Sequence, residues 1–270
     1  MKKKQAKELK YKVLRSNKSV GSRKQKILSY TALNFVKVLN RWITPGIFVS
    51  RDPNFVTKLG RLSHLDEMYA TFSHQSLENK FDKGRLIAMC MNLESILERG
   101  IQGSIVELGV YRGHTLAPLA FLAKRHSRDI FAIDTFGGFS QDQLVGIDSQ
   151  LGVEFDDTSL QNVQRLVSPV NNQVRYLKGV FPNSAILETL NPHAFCFVHL
   201  DCDLYEPSLK ALEYFWPRIT SGGLIFLHDY HSRSFKGIKQ AVLQFELEIG
   251  QQLPKVVLPD LSSTLIINKL

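Results

Sequence analysis

The sequence predicts an α/β protein built on a doubly wound sheet of seven strands, with a helical extension before it. Three observations lead to this fold class. Short apolar segments alternate with amphipathic segments of helical period over residues 101–270. Several apolar segments are continuous, as in parallel strands that are covered on both faces. Glycines and acidic residues directly follow individual strands, as at the ligand-binding edge of such sheets.

Size and composition agree with one domain of this kind plus an extension. The chain has 270 residues, of which 44% are hydrophobic, so it can bury a sizeable core. No apolar run reaches the roughly 18 residues that cross a bilayer, and the first residues lack the apolar stretch of a secretory signal. We therefore expect a cytoplasmic protein. Cys90 and Cys196 lie in apolar patterns and are expected in the core.

The net charge of +9 is concentrated at the N-terminus. Residues 1–26 contain 11 Lys or Arg and one Glu, whereas the rest contains 23 basic and 24 acidic residues, a net charge of −1. We expect residues 1–26 to be a disordered basic tail. Contact with an anionic membrane surface or with nucleic acid is the alternative to a solvated terminus.

The elements follow in order along the chain. Residues 27–100 are predicted as a helical extension, with one helix over 27–43 and another over 81–98 that Gly100 closes. The first helix could lie on a membrane surface, cap the core, or join two copies into a homo-oligomer. The predicted strands are 104–108, 130–133, 174–177, 195–200, 223–227, 255–258 and 264–267. The predicted helices are 114–125, 158–167, 184–190, 207–216 and 235–249.

A glycine-bearing turn follows the first strand, in the segment IVELGVYRGHT of residues 105–115. Gly109 and Gly113 allow a sharp turn and a close approach of a ligand to the main chain, and the following helix offers N–H groups. The glycine spacing differs from the G-x-G-x-x-G pattern of dinucleotide-binding dehydrogenases. The turn therefore favours a methyl-donor nucleoside, with Glu107 accepting from the amino acid part of the donor.

An acid ends the second strand as well. Asp134 closes the segment IFAID and lies 27 positions after Glu107. An acid at this place in a doubly wound sheet can accept from both ribose hydroxyls. The alternative is a surface acid near a loop. The pair of acids at two strand ends favours nucleoside binding.

Acidic residues also follow the fourth and fifth strands. Asp201 and Asp203 come after FCFVHL, and His228 and Asp229 come after the strand that ends at Leu227. If these strands are neighbours, Asp201, Asp229 and His228 could share one cation. Carboxylates suit Mg²⁺ or Ca²⁺, while an imidazole shifts the preference toward Mn²⁺, Fe²⁺ or Zn²⁺. Asp203 could then act as general base. The alternative is that these acids only cap helices.

Residues from about 67 to 267 resemble the macrocin O-methyltransferase family, the metal-dependent sugar methyltransferases of macrolide and aminocoumarin biosynthesis. The matching segments are VELGVYRGHT, FAIDTFGGF, YLKGVFPNS, HLDCDLYEPSLKALEYFWPRITSGGLIFLHDY and KGIKQAVLQF. The resemblance implies a class I methyltransferase with a Rossmann-like sheet whose last strand is antiparallel. It also implies S-adenosylmethionine as donor and a Mg²⁺ site. In the family's LDxDxY motif the first Asp binds metal and the second is the base, which are Asp201 and Asp203 here.

The resulting donor-binding candidates lie at the ends of the first three strands. They are Glu107, Gly109, Tyr111, Gly113, His114, Thr115, Asp134, Thr135, Phe136, Gly179 and Phe181. The chain departs from the family where DDY becomes His228-Asp229-Tyr230, so one carboxylate ligand is replaced by an imidazole. The expected metal ligands are therefore Asp201, His228 and Asp229, holding Mg²⁺ or Mn²⁺.

Together these features predict a metal-assisted O-methyltransferase that acts on a hydroxyl of a vicinal diol. The expected acceptor is a glycoside or another small molecule of secondary metabolism. Two alternatives remain. The basic tail would suit a lipid, peptide or nucleic-acid acceptor, and His228 would suit a non-catalytic donor-binding protein with a degenerate metal site.

Overall fold

The computed structural model describes residues 82–152, 155–261 and 263–270. The basic tail over 1–26, the helix over 27–43 and the segment up to residue 81 lie outside the described residues. The strands are β1 (Ser104–Leu108), β2 (Ile130–Asp134), β3 (Arg175–Lys178), β4 (Phe195–Leu200), β5 (Ile219–Leu227), β6 (Lys255–Val257) and β7 (Leu265–Asn268). The α-helices are α1 (Lys83–Glu98), α2 (Leu116–Arg125), α3 (Leu160–Val167), α4 (Ser184–Leu190), α5 (Tyr205–Phe215) and α6 (Gly237–Glu248). None of the helices in this part of the chain is long and apolar enough to cross a membrane.

The seven strands form one sheet in the order β3-β2-β1-β4-β5-β7-β6. Strands β1 to β5 pair in parallel, and β7 runs antiparallel to both β5 and β6. The order reverses direction at β1, which lies between β2 and β4. This is the doubly wound sheet that the sequence predicts, with the antiparallel last strand that the family resemblance implies.

The largest difference from the predicted elements is the start of β5. The strand begins at Ile219, four residues before the predicted start. The prediction missed these residues because 220–223 are polar and rich in glycine, a composition that does not indicate a strand. The pairing with β4 shifts register between Phe195 and Phe197, so the early part of β5 joins the sheet through an irregular pairing. The irregularity explains why neither an apolar run nor an alternating pattern marks this start.

Helices cover both faces of the sheet. Side chains that alternate along β1 show this, since Ile105 packs with α1, α2 and α3, whereas Val106 packs with α4, α5 and α6. Cys90 and Cys196 are buried in the first of these layers, as predicted. The continuous apolar strands are thus explained by burial on two faces.

Helix α1 belongs to the same core as the sheet. Its residues Leu86, Met89 and Leu93 are buried in the layer that contains Ile105. Asp82 caps the helix by accepting from the N–H of Arg85 at 3.2 Å, and its other oxygen accepts from the N–H of Leu261 at 3.2 Å. The first turn of α1 is thereby fixed to the loop between β6 and β7, above the end of β5.

Candidate functional site

A cavity of about 260 Å³ lies at the carboxyl ends of β1 to β5, where doubly wound sheets bind ligands. Most of the residues that the sequence singles out line this cavity. They are Gly109, Tyr111, His114, Thr115, Asp134, Thr135, Gly179, Phe181, Asp201, Asp203, His228 and Asp229. Glu107, Gly113 and Phe136 were expected to contact the donor, but they are not among the lining residues.

Gly109 joins the two halves of the cavity. Its φ is +87°, and a Cβ at this position would lie 1.9 Å from the main-chain oxygen of Asp201. The turn after β1 therefore packs directly against the chain after β4, and only glycine fits there. Glycine is needed at position 113 for a different reason, because a Cβ there would lie 2.9 Å from Cγ1 of Val163 in α3. The structure gives Gly113 a packing role.

Asp134 holds the turns at the ends of β1 and β2. One carboxylate oxygen accepts from the N–H groups of Val110 at 2.6 Å and Tyr111 at 2.9 Å. The other oxygen accepts from the N–H of Phe136 at 2.6 Å. Oγ1 of Thr135 lies 3.4 Å from this second oxygen, but its hydroxyl donates to the main-chain oxygen of Gly138 at 2.8 Å. A carboxylate has about four acceptor positions, so this arrangement leaves capacity for a hydroxyl from the cavity. Asp134 is thus placed both to shape the turn and to meet a ribose.

Glu107 lies beneath the cavity, fully buried in β1. Its Oε1 is 2.9 Å from Nδ1 of His199, which pairs with it across β1 and β4. Burial raises the pKa of Glu107 well above its usual value and lowers the pKa of His199 to about 3. Burial therefore favours the uncharged form of both side chains. The structure thus places Oε1 of Glu107 in a contact inside the sheet, and its contact with the donor stays a prediction.

The ends of β4 and β5 bring three side chains together, because these strands pair in parallel with Leu200 beside Leu227. Nδ1 of His228 lies 2.7 Å from Oδ1 of Asp201 and 2.9 Å from Oδ2 of Asp229. Ligand atoms of Asp201, His228 and Asp229 all lie within 4.8 Å of one another. Nδ1 is buried and has no hydrogen-bond partner of good geometry. The three side chains therefore converge on one point, and the hydrogen-bonding capacity of Nδ1 of His228 remains unused.

The pKa shifts differ among Asp201, His228 and Asp203. Burial by itself would raise the pKa of Asp201, but the positive charge of the nearby His228 holds that pKa below the usual value. Burial would likewise lower the pKa of His228, and Asp201 and Asp229 instead raise it to about 10. Burial and the negative charges of Asp201 and Asp229 raise the pKa of Asp203 well above its usual value. Asp203 thus has a stronger tendency to take a proton than an ordinary aspartate.

Arg85 is a neighbour of this cluster that sequence reasoning missed. It lies in the first turn of α1, is 5% exposed, and its Nη1 is 3.6 Å from Oδ2 of Asp201. The only signal in the sequence is an arginine near the start of an amphipathic helix, which alone does not show where the helix docks. The contact adds one fixed positive charge beside the acids.

Several lining residues hold a left-handed backbone that side chains rarely adopt. Tyr111, Phe155, Asp203 and Asp229 have φ values between +50° and +63° and all line the cavity. Non-glycine residues in this region are strained by about 1–3 kcal/mol each, and such strain clusters at functional sites. The strain supports the cavity as the working site of the molecule.

Comparison with known proteins identifies relatives that share these motifs. The family model described as Macrocin-O-methyltransferase (TylF) matches residues 79–256. The 8-demethyl-8-(2,3-dimethoxy-alpha-L-rhamnosyl)-tetracenomycin-C 4'-O-methyltransferase of Streptomyces olivaceus is 29% identical over 155 residues, 51% of this chain and 57% of the relative. The mycinamicin III 3''-O-methyltransferase of Micromonospora griseorubida is 28% identical over 178 residues, 61% of this chain and 68% of the relative. The chain thus spans little more than half the length of the first relative.

Solved structures share the fold. The O-methyltransferase NovP superposes with a TM-score of 0.58 at 21% identity, over 68% of this chain and 79% of that chain. The calicheamicin methyltransferase CalS11 superposes with a TM-score of 0.57 at 18% identity, over 82% of this chain and 95% of that chain. These likenesses confirm the predicted class I methyltransferase fold. With the family model matching well over half of its residues, the chain belongs to the macrocin-O-methyltransferase (TylF) family.

Proposed function

We propose that this protein is an S-adenosylmethionine-dependent O-methyltransferase that methylates a hydroxyl of a glycoside, assisted by a divalent cation. One observation carries the proposal. A single cavity contains a nucleoside-type turn at the ends of β1 and β2 and an acid–imidazole cluster at the ends of β4 and β5. Such a cavity can hold a methyl donor and a hydroxyl acceptor side by side.

The donor would lie over the ends of β1 to β3. Asp134 would accept from the ribose hydroxyls, and the turn from Gly109 to Thr115 would lie against the amino acid part. Gly179 and Phe181 line the same cavity at the end of β3, where they would flank the adenine. The family membership and the class I fold support this choice of donor.

Asp201, His228 and Asp229 would hold the cation. Two carboxylates and one imidazole are a donor set that suits Mg²⁺ or, with the nitrogen ligand, Mn²⁺. The convergence of their atoms within 4.8 Å and the unsatisfied Nδ1 of His228 fit this role. Because its two acidic neighbours favour the protonated form, His228 would release a proton when it becomes a ligand. A bound cation would lower the pKa of an acceptor hydroxyl.

Asp203 would take the proton from the acceptor hydroxyl. Its carboxyl lines the cavity beside the cluster, and its raised pKa makes it a stronger proton acceptor than an ordinary aspartate. The oxygen would then attack the sulfonium methyl group in line, and the donor would leave as S-adenosylhomocysteine. Most of the acceleration would come from holding the two reactants in this geometry.

The names of the relatives support a glycoside as acceptor. The first is a 4'-O-methyltransferase of a rhamnosylated tetracenomycin, and another is named demethyldecarbamoylnovobiocin O-methyltransferase, from Streptomyces niveus. CalS11 is described as a TDP-rhamnose 3'-O-methyltransferase, which names a nucleotide-linked sugar. A sugar on an aglycone and a sugar on a nucleotide are therefore two forms of the acceptor to compare.

The test is Asp203→Asn, measured for donor binding and for turnover. Calorimetry should give the same Kd for S-adenosylmethionine as the unchanged protein, while methyl transfer to a panel of diol-bearing glycosides with Mg²⁺ or Mn²⁺ should fall by about 10²–10⁴-fold. Asp142→Asn is the control, because Asp142 is exposed and does not line the cavity. Normal turnover of Asp203→Asn would show that another group is the base.

One observation favours a second candidate, a donor-binding protein without catalysis. A protonated His228 between Asp201 and Asp229 neutralises part of the cluster without any metal. This candidate predicts S-adenosylmethionine binding that EDTA does not change, together with no methyl transfer to any acceptor. The proposed enzyme instead loses its turnover in EDTA and regains it when Mg²⁺ or Mn²⁺ is restored.

A further inference from the structure

Asp148 is a buried acid that none of the roles proposed above uses. It ends the short 3₁₀ turn Gly146–Asp148 in the connection between β2 and α3, and it is only 3% exposed. Its N–H donates to the main-chain oxygen of Val145 at 3.1 Å, and its own oxygen accepts from the N–H of Leu151 at 3.0 Å. Its side chain is not among those that line the cavity. A buried carboxylate that faces no ligand needs a polar partner inside the protein.

That partner is the N-terminus of α5. Oδ2 of Asp148 accepts from the main-chain N–H of Tyr205, the first residue of α5, at 2.7 Å. The residue in the capping position is Leu204, whose side chain cannot accept a hydrogen bond. The helix thus takes its capping acceptor from a residue 57 positions before Tyr205. A carboxylate at this place also faces the positive end of the helix dipole.

The N-terminus of α6 meets the same carboxylate. A Cβ on Gly237, the first residue of α6, would lie 2.9 Å from Oδ1 of Asp148 and 2.8 Å from Cβ of Tyr205. Only a glycine allows the two helix starts and the acid to approach this closely. The capping position of α6 is Lys236, whose side chain has no acceptor either. One carboxylate therefore lies between the first residues of the two helices that follow β4 and β5.

The start of α5 directly follows Asp203, which lies two residues before Tyr205. The backbone of Asp203 is left-handed, with a φ of +62°, and strain of this kind persists only where the surrounding structure enforces it. After Asp203, the N–H of Leu204 donates to the main-chain oxygen of Cys202 at 2.7 Å, and the next N–H, that of Tyr205, donates to Asp148. The contact with Asp148 comes from another part of the chain. It therefore fixes the strained segment relative to the connection between β2 and α3.

We propose that Asp148 is a positioning residue for the reaction, and that it holds Asp203 at the cavity through the N–H of Tyr205. The inference rests on the proposed function and deepens it, because it assigns the support of the general base to a residue outside the cavity lining. Loss of the carboxylate would release the start of α5 and let the backbone of Asp203 relax to an ordinary conformation. The carboxyl of Asp203 would then move away from the acceptor hydroxyl, whereas the donor turn after β1 would keep its place.

The first test is structural and needs no turnover. Crystal structures of the full chain, of Asp148→Ala and of Asp148→Asn are compared in one crystal form. In Asp148→Ala we expect the φ of Asp203 to leave the left-handed region and its carboxyl to move by about 1 Å, a displacement large enough to matter for catalysis. Asp148→Asn should keep the geometry, because Asn caps a helix about as well as Asp. An Asp203 that stays in place in Asp148→Ala would overturn the inference, whether or not the protein is an enzyme.

The second test measures methyl transfer to a glycoside. In Asp148→Ala, kcat should fall by about 10²-fold, while the KM for the acceptor and the Kd for S-adenosylmethionine change by less than about twofold. Asp148→Asn should restore kcat to within about threefold of the unchanged protein, since it keeps an acceptor for the N–H of Tyr205. Asp142→Ala, at an exposed position of the same connection, is the matched control and should keep normal kcat. An equal loss of donor affinity and of kcat in Asp148→Ala would show general loosening and contradict a role at Asp203.

A double-mutant cycle shows whether Asp148 acts through Asp203. In a protein that already carries Asp203→Asn, Asp148→Ala should have little further effect on kcat, because groups that act as a unit are not additive. Two full and independent losses would overturn the inference. Gly237→Ala is a second route to the same displacement, since its methyl group would push Asp148 and Tyr205 apart. It should lower kcat with KM unchanged, and normal kcat in a folded Gly237→Ala would contradict the inference even where Asp148→Ala does not fold.

These outcomes separate the inference from the proposed function. If the unchanged protein transfers no methyl group to any acceptor, the proposed function is wrong, and the position of Asp203 in Asp148→Ala still decides whether Asp148 holds it. If Asp148→Ala methylates at the normal rate, the proposed function stands and the positioning role of Asp148 is wrong.

Discussion

His228 stands at a position where the resemblance to the family implies an acid. Nδ1 of its imidazole lies 2.7 Å from Asp201 and 2.9 Å from Asp229. An imidazole carries no negative charge when it binds metal, so the ligand set has one charge fewer. Arg85, 3.6 Å from Asp201, reduces the negative charge of the cluster further. Both features should weaken the binding of a hard cation.

His228→Asp should therefore shift the metal preference toward Mg²⁺. An added carboxylate favours hard cations, and removing the nitrogen ligand weakens the advantage of Mn²⁺. We expect the Kd for Mg²⁺ to fall by about tenfold, equivalent to about 1.4 kcal/mol, and the ratio of Kd values for Mg²⁺ and Mn²⁺ to fall as well. Calorimetric titration of both metals in the presence of S-adenosylhomocysteine measures this. His228→Asn, which offers an oxygen without charge, separates the effect of charge from that of ligand type.

An unchanged ratio in His228→Asp would remove His228 from the ligand set. The cluster would then hold a cation through Asp201 and Asp229 alone, or hold none. Since His228 contacts both acids, thermal unfolding of each variant is measured first, so that a loss of folding is not counted as a loss of binding.

Neighbouring strands explain both what the sequence predicts of the site and what it misses. Apolar runs followed by Asp201 and by Asp229 mark the ends of two strands, and parallel neighbours meet at one edge of the sheet. The convergence of these acids could therefore be predicted. The pairing of Glu107 with His199 could not, because it depends on the register between β1 and β4, which two apolar strands do not specify. Arg85 was missed for a similar reason, since it depends on where α1 docks.

The pair formed across β1 and β4 makes a prediction about pH. Burial holds the proton on Glu107 above the pH at which an unfolded Glu releases it, near 4.5, so this group makes the folded state less stable as pH rises above 4.5. Glu107→Gln keeps the shape of the side chain and its ability to donate a hydrogen bond, but a glutamine side chain does not titrate. Relative to the unchanged protein, its free energy of unfolding should grow with pH above 4.5, by up to about 1.4 kcal/mol per pH unit.

Urea unfolding of both proteins between pH 5 and pH 8 measures that difference. Glu188→Gln, at an exposed position of α4, should show no growth with pH. His199 affects stability in the acidic range, because its pKa of about 3 in the folded state lies below that of an unfolded His near 6.5. The folded state must therefore lose stability as pH falls from 6.5 toward 3 in both proteins. A Glu107→Gln difference that is flat with pH would mean that Glu107 is ionised in the fold.

Across the whole molecule, the sequence predicts two parts of very different charge. Residues 1–26 carry a net charge of +10, and the remainder, which contains the entire cavity described above, carries −1. The fold, the cavity and the family match at residues 79–256 all belong to the nearly neutral part. The binding of polyanions and the transfer of a methyl group should therefore be separable.

Deleting residues 1–26 should abolish binding to an anionic surface and leave catalysis unchanged. The full chain should elute from heparin at higher salt than the truncated chain, because each Lys or Arg that contacts a phosphate or sulfate adds to the salt dependence. Turnover on a soluble glycoside and the thermal midpoint should be equal for the two chains. A truncated chain that loses turnover on the soluble glycoside would contradict this division and place part of the tail at the cavity.

The contact between Gly109 and the main chain of Asp201 has a consequence for how such enzymes can diversify. Because the turn after β1 touches the chain after β4 at this point, even an alanine at position 109 would displace the donor turn and the acid cluster together. A substitution of another lining side chain need not move both. Descendants of such an enzyme should therefore acquire new substrates through their other lining residues and retain this glycine.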